Sequence, residues 1–284
     1  MDMPVTDPTA PAWNDIPVTD WQGAALDCTA CPHQRLRQAG GCEPGRRCMQ
    51  DAYARRIDRF FRAHPALAAE HLDHAYFEVR AIAARHADVF LLPRLMDDPD
   101  ETVRLQLALR LPQRLLSRLR SDAHREVRIR VAQRLSESEL PTLLRDDDYE
   151  VRKTVARRVA PALLPLLMHD PDLQVRLAVA QRVAMPALWR MVEDPAPEVR
   201  RVVAERLPVP LLDALAGDDD WLVRWATAGR ALGPALQRLL GDHEAEVRER
   251  AAERATELNL GRIARLSDTS PATSPTAPPE PDHG

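Results

Sequence analysis

The sequence predicts an all-α fold: an α-solenoid of eight 24-residue repeats that alternate an α-helix with a short 3₁₀ helix, behind a small cysteine-rich module. Three observations predict it. A Val-Arg dipeptide recurs every 24 residues. Only 4% of the residues are aromatic although 45% are hydrophobic, so the apolar content is mostly Leu, Val and Ala, which favours helices over sheets. All four cysteines fall within one short N-terminal segment.

Charge and hydropathy narrow the classes of partner. The chain has 39 basic and 43 acidic residues, a net charge of −4, which makes nucleic acid an unlikely partner. No run approaches 18 uninterrupted apolar residues, and the N-terminal stretch MDMPVTDPTAPAWND has neither a basic nor an apolar signal region. We therefore expect a cytoplasmic protein that does not interact with membranes.

The chain begins with a stretch over residues 1–22 that we expect to be extended and disordered, and a module over residues 23–73 follows. The module has the spacing C-x2-C-x10-C-x5-C, which predicts a metal site because close cysteine pairs present two thiolates to one centre. Spacing alone leaves an iron–sulfur cluster and zinc equally open, and two disulfides remain an alternative for an exported chain. The candidate ligands are Cys28, Cys31, Cys42 and Cys48.

Other features of the module are interpreted as structural. Gly40 and Gly41 permit the chain to fold back toward the first cysteines. His33 follows the second cysteine, and we expect it to be a neighbour of the metal and not a ligand. Residues 43–63 are expected to form a helix with a buried aromatic face, which connects the module to the first repeat and caps that end of the solenoid.

The repeats occupy residues 74–265, and each position is numbered from the valine of the Val-Arg dipeptide as position 0. Position −5 is aspartate in seven copies and His74 in the first, position +5 is always alanine, and position +13 is always leucine. Residue +7 is arginine except for His86 in the first copy. The valines at position 0 are Val79, Val103, Val127, Val151, Val175, Val199, Val223 and Val247.

Each copy predicts two short helices. The aspartate at −5 is expected to cap an α-helix whose apolar positions 0, +4 and +8 form one buried stripe. Prolines after +8 end that helix, and leucines three residues apart at +13 and +16 suit a 3₁₀ segment. Neither helix buries its apolar face alone, so the repeats must stack. The Pro, Ser and Thr tail over residues 266–284 is expected to be disordered.

The two arginine positions receive different interpretations. Position +1 lies inside the apolar arc, where a charge needs a partner, so we hypothesise a ladder from Arg(+1) to Asp(−5) within or between repeats. Position +7 flanks the stripe and is expected to extend outward into solvent. The +1 residues are Arg80, Arg104, Arg128, Arg152, Arg176, Arg200, Arg224 and Arg248.

The D-P-x-x-x-V-R-x-x-V-A-x-R-L unit, behind a four-cysteine segment, resembles the leucine-rich repeat variant family with its iron–sulfur module. The resemblance covers residues 24–265. It implies a right-handed superhelix of alternating α- and 3₁₀-helices and a [4Fe–4S] cluster held by Cys28, Cys31, Cys42 and Cys48. It also implies an association with bacterial nitrogen fixation, without an established biochemical role.

Three function classes follow. The first is an interaction scaffold that binds a protein partner on the solenoid surface, with a cluster that responds to redox state or iron. The second is an electron-transfer protein. The third is a nucleic-acid-binding protein or an enzyme. The sequence contains no Ser-His-Asp set, P-loop or GxGxxG motif, and its carboxylates recur with the repeat, so we expect no enzymatic activity.

Overall fold

The computed structural model describes residues 16–268, with side chains up to residue 259. Apart from the isolated bridges Thr19–Ala25 and Glu43–Arg47, these residues contain no β-structure. Contacts divide the chain into two units, one ending at Val159 and the other beginning at Ala160. The α-helices are α1 Gln34–Gln38, α2 Ala54–Ala63, α3 Phe77–His86, α4 Glu101–Arg110, α5 Gln113–Leu116, α6 Arg125–Arg134, α7 Tyr149–Arg158, α8 Leu173–Ala180, α9 Pro197–Arg206, α10 Trp221–Ala228, α11 Gly233–Leu240 and α12 Ala245–Asp268.

The longer helix of each repeat begins later than the sequence predicts. The residue at −3, and not the aspartate at −5, is the N-cap: Asp100 accepts a hydrogen bond from the backbone N–H of Thr102 at 2.8 Å, and Asp148 and Asp220 cap in the same way. The aspartate at −5 instead accepts the N–H of residue −3, as Asp98 does from Asp100 at 2.9 Å. Its carboxylate therefore forms an Asx turn that leads into the helix.

The predicted apolar stripe is confirmed. In the first seven repeats, positions 0, +4 and +8 are fully or almost fully buried, for example Val103, Leu107 and Leu111. The residues at +13 and +16 of these repeats complete the core from the short helices, for example Leu116 and Leu119. Within each unit, successive repeats thus contribute the same positions to one continuous core.

Short 3₁₀ helices follow the longer helices in most repeats, as the sequence predicts. The 3₁₀ helices are Pro65–His71 before the first repeat and then Val89–Leu95, Ser117–Ser121, Leu140–Leu143, Pro161–Leu167, Ala187–Glu193 and Val209–Leu215.

The last two repeats differ from this pattern. Helix α11 replaces the 3₁₀ helix of the seventh, and its proline stands in the first turn. In the eighth repeat, α12 continues through positions +13 and +16 to Asp268, because no proline interrupts the chain after Val247 until Pro271. Among residues 16–268, no helix has both the length and the apolar character needed to cross a membrane.

The arginine at +1 pairs with the aspartate of the next repeat, which confirms the hypothesised ladder in its inter-repeat form. Arg104 donates from Nε to Asp122 Oδ2 at 2.7 Å and from Nη2 to Asp122 Oδ1 at 3.0 Å. Its Nη1 donates to the carbonyl oxygen of Asp98, at the start of its own repeat. The same forked pair joins Arg80–Asp98, Arg104–Asp122 and Arg128–Asp146 in the first unit and Arg176–Asp194, Arg200–Asp218 and Arg224–Asp242 in the second.

The pKa of several carboxylates in this ladder is lowered. Burial raises the pKa of Asp122, but hydrogen bonds from Arg104 and from the His124 N–H more than offset it, so the pKa lies below its usual value. Asp98 and Asp218 show the same balance. A lowered carboxyl pKa contributes stability that is present above the unfolded value near 3.8 and is lost as the pH falls below it.

The expectation that the arginine at +7 extends into solvent is wrong. Arg110 donates from Nη1 to the carbonyl oxygens of Ala84 and Ala87 at 2.6 Å each, and Arg134 reaches Ala108 and Leu111 in the same manner. These carbonyls belong to the last turn of the preceding repeat's helix, whose carbonyl groups have no partner within that helix. Arg206 and Arg230 do the same for Ala180 and Ala204. The +7 arginine is thus a C-cap supplied by the next repeat.

The module packs on the first repeat, and the contacts made there account for His74 and His86, the two histidines that depart from the repeat pattern. His86, which stands where other repeats have the +7 arginine, has Nε2 3.1 Å from the Asp58 carboxylate on α2. His74, which replaces the −5 aspartate, accepts the Tyr76 N–H at its Nδ1 at 3.0 Å and so keeps the turn. No repeat precedes the first one, so no +1 arginine requires an aspartate at this position.

One helix boundary differs from the sequence expectation. Helix α2 begins at Ala54 and not at residue 43, because Gly45 adopts a positive φ of 77° within a turn. The extended leader expected over residues 1–22 is described from residue 16, where Arg56 donates to the carbonyls of Ile16 and Pro17 at 2.9 Å. Residues 1–15 and 269–284, which include most of the expected leader and tail, lie outside the described residues.

We predict that Arg128→Met destabilises the protein by about 3 kcal/mol, because it leaves the buried Asp146 carboxylate without its partner. The matched control is Arg130→Met on the same helix, an exposed arginine that bonds only a nearby glutamine within the described contacts, with an expected change within about 0.5 kcal/mol. Urea unfolding followed by circular dichroism measures both. Equal midpoints for the two variants would contradict the ladder's role.

Candidate metal centre

All four predicted cysteines line one small cavity of about 10 Å³ in the N-terminal module. Cys42 and Cys48 are buried, whereas Cys28 and Cys31 are partly exposed. None of the four forms a disulfide with another. The structure thus brings together every residue that the spacing selected, on loops that flank the short helix α1 and precede α2.

The first cysteine pair lies on a turn built by Asp27. Its carboxylate accepts the Thr29 N–H at 2.8 Å and the Thr29 hydroxyl at 2.6 Å, and the hydroxyl bond is the main cause that lowers the pKa of Asp27. Two residues further on, the His33 N–H donates to Cys31 Sγ at 3.4 Å, and α1 begins at Gln34. The turn therefore presents both sulfurs to the same side.

Gly40 and Gly41 return the chain to this turn. Gly40 has a φ of 74°, and the Gly41 N–H donates to Leu36 O at 2.7 Å, which closes the end of α1. At Gly41 a side chain would be tightly packed, since a Cβ atom there would lie 3.2 Å from the His64 ring, which would have to shift. His64 Nε2 also bonds Gly41 O at 2.7 Å. The two glycines thus suit the close turn that leads to Cys42.

A buried ion pair that the sequence analysis missed fixes the last cysteine. Arg56 on α2 is 4% exposed and contacts the carboxylate of Asp51, which is fully buried, at 3.1 Å. The Arg56 carbonyl accepts the Cys48 N–H at 3.2 Å. The one available sequence signal was Asp51, which precedes the helix and accepts the Tyr53 N–H at 2.9 Å, as a turn aspartate does.

The four thiols influence one another electrostatically. A hydrogen bond from Cys48 to Cys42 lowers the pKa of Cys42 and raises that of Cys48, and burial raises the latter further. Burial also raises the pKa of Cys31, with added repulsion from Cys48 and Cys28. Arg47 acts in the opposite direction on Cys42. Four thiolates this close repel one another unless a cation lies among them.

The donor chemistry fits a thiolate-ligated metal group. Four cysteine sulfurs around one cavity are the ligand set of an iron–sulfur cluster and equally of structural zinc. Over residues 16–259, no three His, Cys, Asp or Glu side chains stand in an arrangement that holds a single metal ion. His33 lines the cavity, but its Nε2 lies 2.7 Å from His71 Nε2.

His33 and His71 form a buried pair between the cysteine loops and the first repeat. Both are at least 91% buried, and both rings contact Phe60 or Phe61. Burial is the main cause that lowers the pKa of His71 to about 4, and the neighbouring His33 and His74 lower it further. The pKa of His33 is also lowered, chiefly by burial. The pair is therefore neutral near pH 7, with one ring donating to the other.

Comparison with known proteins identifies the family. A solved structure described as a leucine-rich repeat variant with a novel repetitive protein structural motif is 43% identical. It superimposes with a TM-score of 0.77, over 81% of this chain and 98% of that one. The chain belongs to the leucine-rich repeat variant family. The family model for the repeat matches residues 77–100 and 149–172, and the model described as LRV protein FeS4 cluster matches residues 18–70.

Two further matches were found for this leucine-rich repeat variant. An uncharacterized 27.7 kDa protein in the nifB 3′ region of Rhodobacter capsulatus is 54% identical over 93 residues, which is 33% of this chain and 38% of that protein. The chain thus aligns with well under half of that relative. A condensin Cnd3–Cnd2 subcomplex from S. pombe matches over 74% of this chain and 31% of its own, with 18% identity and a TM-score of 0.33, which supports no argument.

We predict that the wild-type protein loses about 3 kcal/mol of stability between pH 6.5 and pH 4 because of His71. The unfolded histidine binds a proton near pH 6.5 and the folded one only near pH 4, so acid favours the unfolded chain in that window. Urea unfolding at several pH values measures the slope. His71→Gln should flatten it, whereas His169→Gln at an exposed position should not. An unchanged slope in His71→Gln would refute the assignment.

Proposed function

We propose that this protein is an iron–sulfur interaction scaffold in which the module holds a [4Fe–4S] cluster and the solenoid binds a protein partner, without enzymatic activity. The observation that carries the proposal is that Cys28, Cys31, Cys42 and Cys48 line one cavity inside the segment that matches the FeS4 cluster family. Each cysteine would bind one iron through its thiolate. The cluster, when bound, supplies a one-electron redox centre.

Groups around the cysteines suit a cluster of negative charge. The His33 N–H points to Cys31 Sγ, and a backbone N–H of Gln50 bonds Cys48. Hydrogen bonds to ligand sulfurs and nearby positive charge both stabilise the more reduced, more negative state. Arg47 supplies that charge beside Cys42.

Side-chain contacts join the module to the first repeat, so a change at the cluster would affect the packing of the solenoid helices. Trp21 stacks on Tyr76 with ring centroids 5.8 Å apart, and the Tyr76 hydroxyl donates to Ala52 O at 3.2 Å. Asp58 on α2 contacts both Arg85 and His86 of α3. A change in the cysteine loops is therefore transmitted through α2 to the repeat helices, which supports a redox- or iron-responsive scaffold.

Surface aromatic residues support a protein partner. Stacking uses positions 0, +4 and +8 of each long helix, whereas −2 and +2 face away from that stripe and remain accessible. In α10 these two positions are Trp221 and Trp225, each 41% exposed, with Leu222 also exposed beside them. Exposed tryptophans are typical of protein interfaces and unusual on an inert surface. Tyr149 occupies the same −2 position in α7 and is 40% exposed.

An electron-transfer protein is the second candidate, because Cys28 and Cys31 are partly exposed. Such exposure brings a cluster within reach of a redox partner. The neighbourhood of the relative to nifB supports an association with nitrogen fixation under either candidate. Nucleic-acid binding has less support, since the +1 and +7 arginines that would form a basic stripe are engaged inside the stack.

We predict that anaerobically purified protein contains about four iron and four sulfide ions per chain, with the absorption and EPR spectra of a cubane cluster. Cys42→Ser should lose most of the iron. His33→Gln is the matched control and should retain it, because its backbone N–H still reaches Cys31. Stoichiometric zinc without iron would overturn the cluster assignment.

We predict that a Trp221→Ser/Trp225→Ser variant recovers at least about tenfold less of the proteins that cross-link to the wild type in extracts of the source cells. Leu166→Ser, at an exposed apolar position, is the control and should recover them normally. Repeating the capture with oxidised, reduced and iron-free protein separates a responsive scaffold from a carrier. Equal recovery by the tryptophan variant would contradict the proposed binding face.

A further inference from the structure

The module contains a second cavity, on its surface, which shares only Arg47 with the groups that the proposed function uses. Its volume is about 590 Å³, and it lies between the Glu43–Arg47 turn and helix α2. Cavities of about 300–1,000 Å³ are typical of small-molecule sites. The lining residues are Glu43, Arg46, Arg47, Arg59, Arg62 and Ala63.

Local structure brings the four arginines together. The positive φ of Gly45 closes a turn that places Arg46 and Arg47 side by side. Arg59 and Arg62 are three residues apart on α2 and so share one face of that helix. Arg59 Nη1 donates to Arg46 O at 3.4 Å, which joins the helix to the turn.

The cavity has an excess of positive charge. Glu43 lies 3.2 Å from Arg46, and Asp58 contacts Arg62 while it also serves Arg85 and His86.

The other two arginines bond backbone oxygens. Arg47 donates to Gly40 O at 2.9 Å, and Arg59 donates to Arg46 O. Over residues 16–259 no ion pair joins Arg47 or Arg59 to a carboxylate, so neither guanidinium charge is compensated by one; Arg47 also lies near enough to Cys42 to lower the pKa of that thiol.

We propose that this cavity binds the phosphate of a small molecule between the guanidinium groups of Arg47 and Arg59. Each guanidinium has N–H donors beyond the one that bonds a carbonyl, and its planar fork matches two oxygens of a phosphate. A divalent phosphate balances both uncompensated charges, which a single carboxylate does not. Hydrogen bonds to backbone carbonyl oxygens hold the two arginine side chains in place before the ligand binds, which reduces the conformational entropy lost on binding.

The concave form favours a small ligand over the flat acidic surface of a protein. Arg46 and Arg62, whose side chains are 77% and 73% exposed, already have carboxylate partners. Arg59 is also exposed and Arg47 is partly buried, and all four arginines line the cavity. A ligand small enough to enter the cavity reaches the donors of Arg47 and Arg59, which have no carboxylate partner.

Calorimetric titration of the full-length protein with pyrophosphate at low ionic strength tests this site. Wild type should bind, and Arg59→Gln and Arg47→Gln should each weaken binding by about tenfold or more. Arg130→Gln, at an exposed position on α6, is the matched control and should bind within about twofold of wild type. Circular dichroism and iron content of each variant establish that it is folded.

Titration with ATP distinguishes the sources of the phosphate. Tighter binding of ATP than of pyrophosphate would assign a nucleotide, and equal binding would assign a polyphosphate group alone; both support the site. Absence of pyrophosphate binding at millimolar concentration, or equal binding by Arg59→Gln, would overturn it. Binding of a poly-glutamate peptide without pyrophosphate binding would also overturn it, in favour of an acidic protein partner.

Discussion

Within each unit, neighbouring repeats are joined by one buried ion pair, and the packing of the repeats depends on it. The arginine at +1 and the aspartate 18 residues later are both largely buried, and removing charges from water is costly unless every donor and acceptor is satisfied. Here the aspartate accepts the arginine fork and a backbone N–H, while the remaining arginine nitrogen binds a carbonyl. This geometry tolerates no change in the 18-residue separation, which explains why all eight repeats have the same length. The apolar column supplies stability, and the ion pair specifies register.

The same interactions explain how the array begins. A solenoid end exposes helix carbonyls and unpaired charges that an interior repeat would satisfy. At the N-terminal end the module packs against the first repeat. Asp58 bonds His86, which stands where other repeats have the +7 arginine. His74 stands in place of the −5 aspartate and accepts the same kind of turn hydrogen bond. The module is therefore part of the folding unit, and its cysteine loops are held by residues that also contact the first repeat.

Periodicity made most of the fold predictable, because each of the eight copies repeats the same evidence for buried and polar positions. The Arg(+1)–Asp(−5) ladder followed from a charge inside an apolar arc. The +7 arginine was misinterpreted because its partners are backbone carbonyls of another repeat, which no residue type signals. The helix start was placed two residues early because aspartates at both −5 and −3 resemble caps. At the candidate metal centre, spacing selected four cysteines that line one cavity. The Arg56–Asp51 pair joins a turn to the helix that follows it, and the His33–His71 pair joins residues 38 positions apart; neither belongs to the repeat pattern, so periodicity did not signal them.

The central claim is that the inter-repeat ion pair couples neighbouring repeats energetically, and a double-mutant cycle on Arg200 and Asp218 tests it most directly. Arg200 Nε lies 2.7 Å from Asp218 Oδ2, and both groups are within the second unit. Free energies of unfolding for wild type, Arg200→Met, Asp218→Leu and the double variant give the interaction energy. The account predicts a coupling of about 1–3 kcal/mol, with the double variant more stable than the sum of the single losses implies. Additivity within about 0.5 kcal/mol would contradict it.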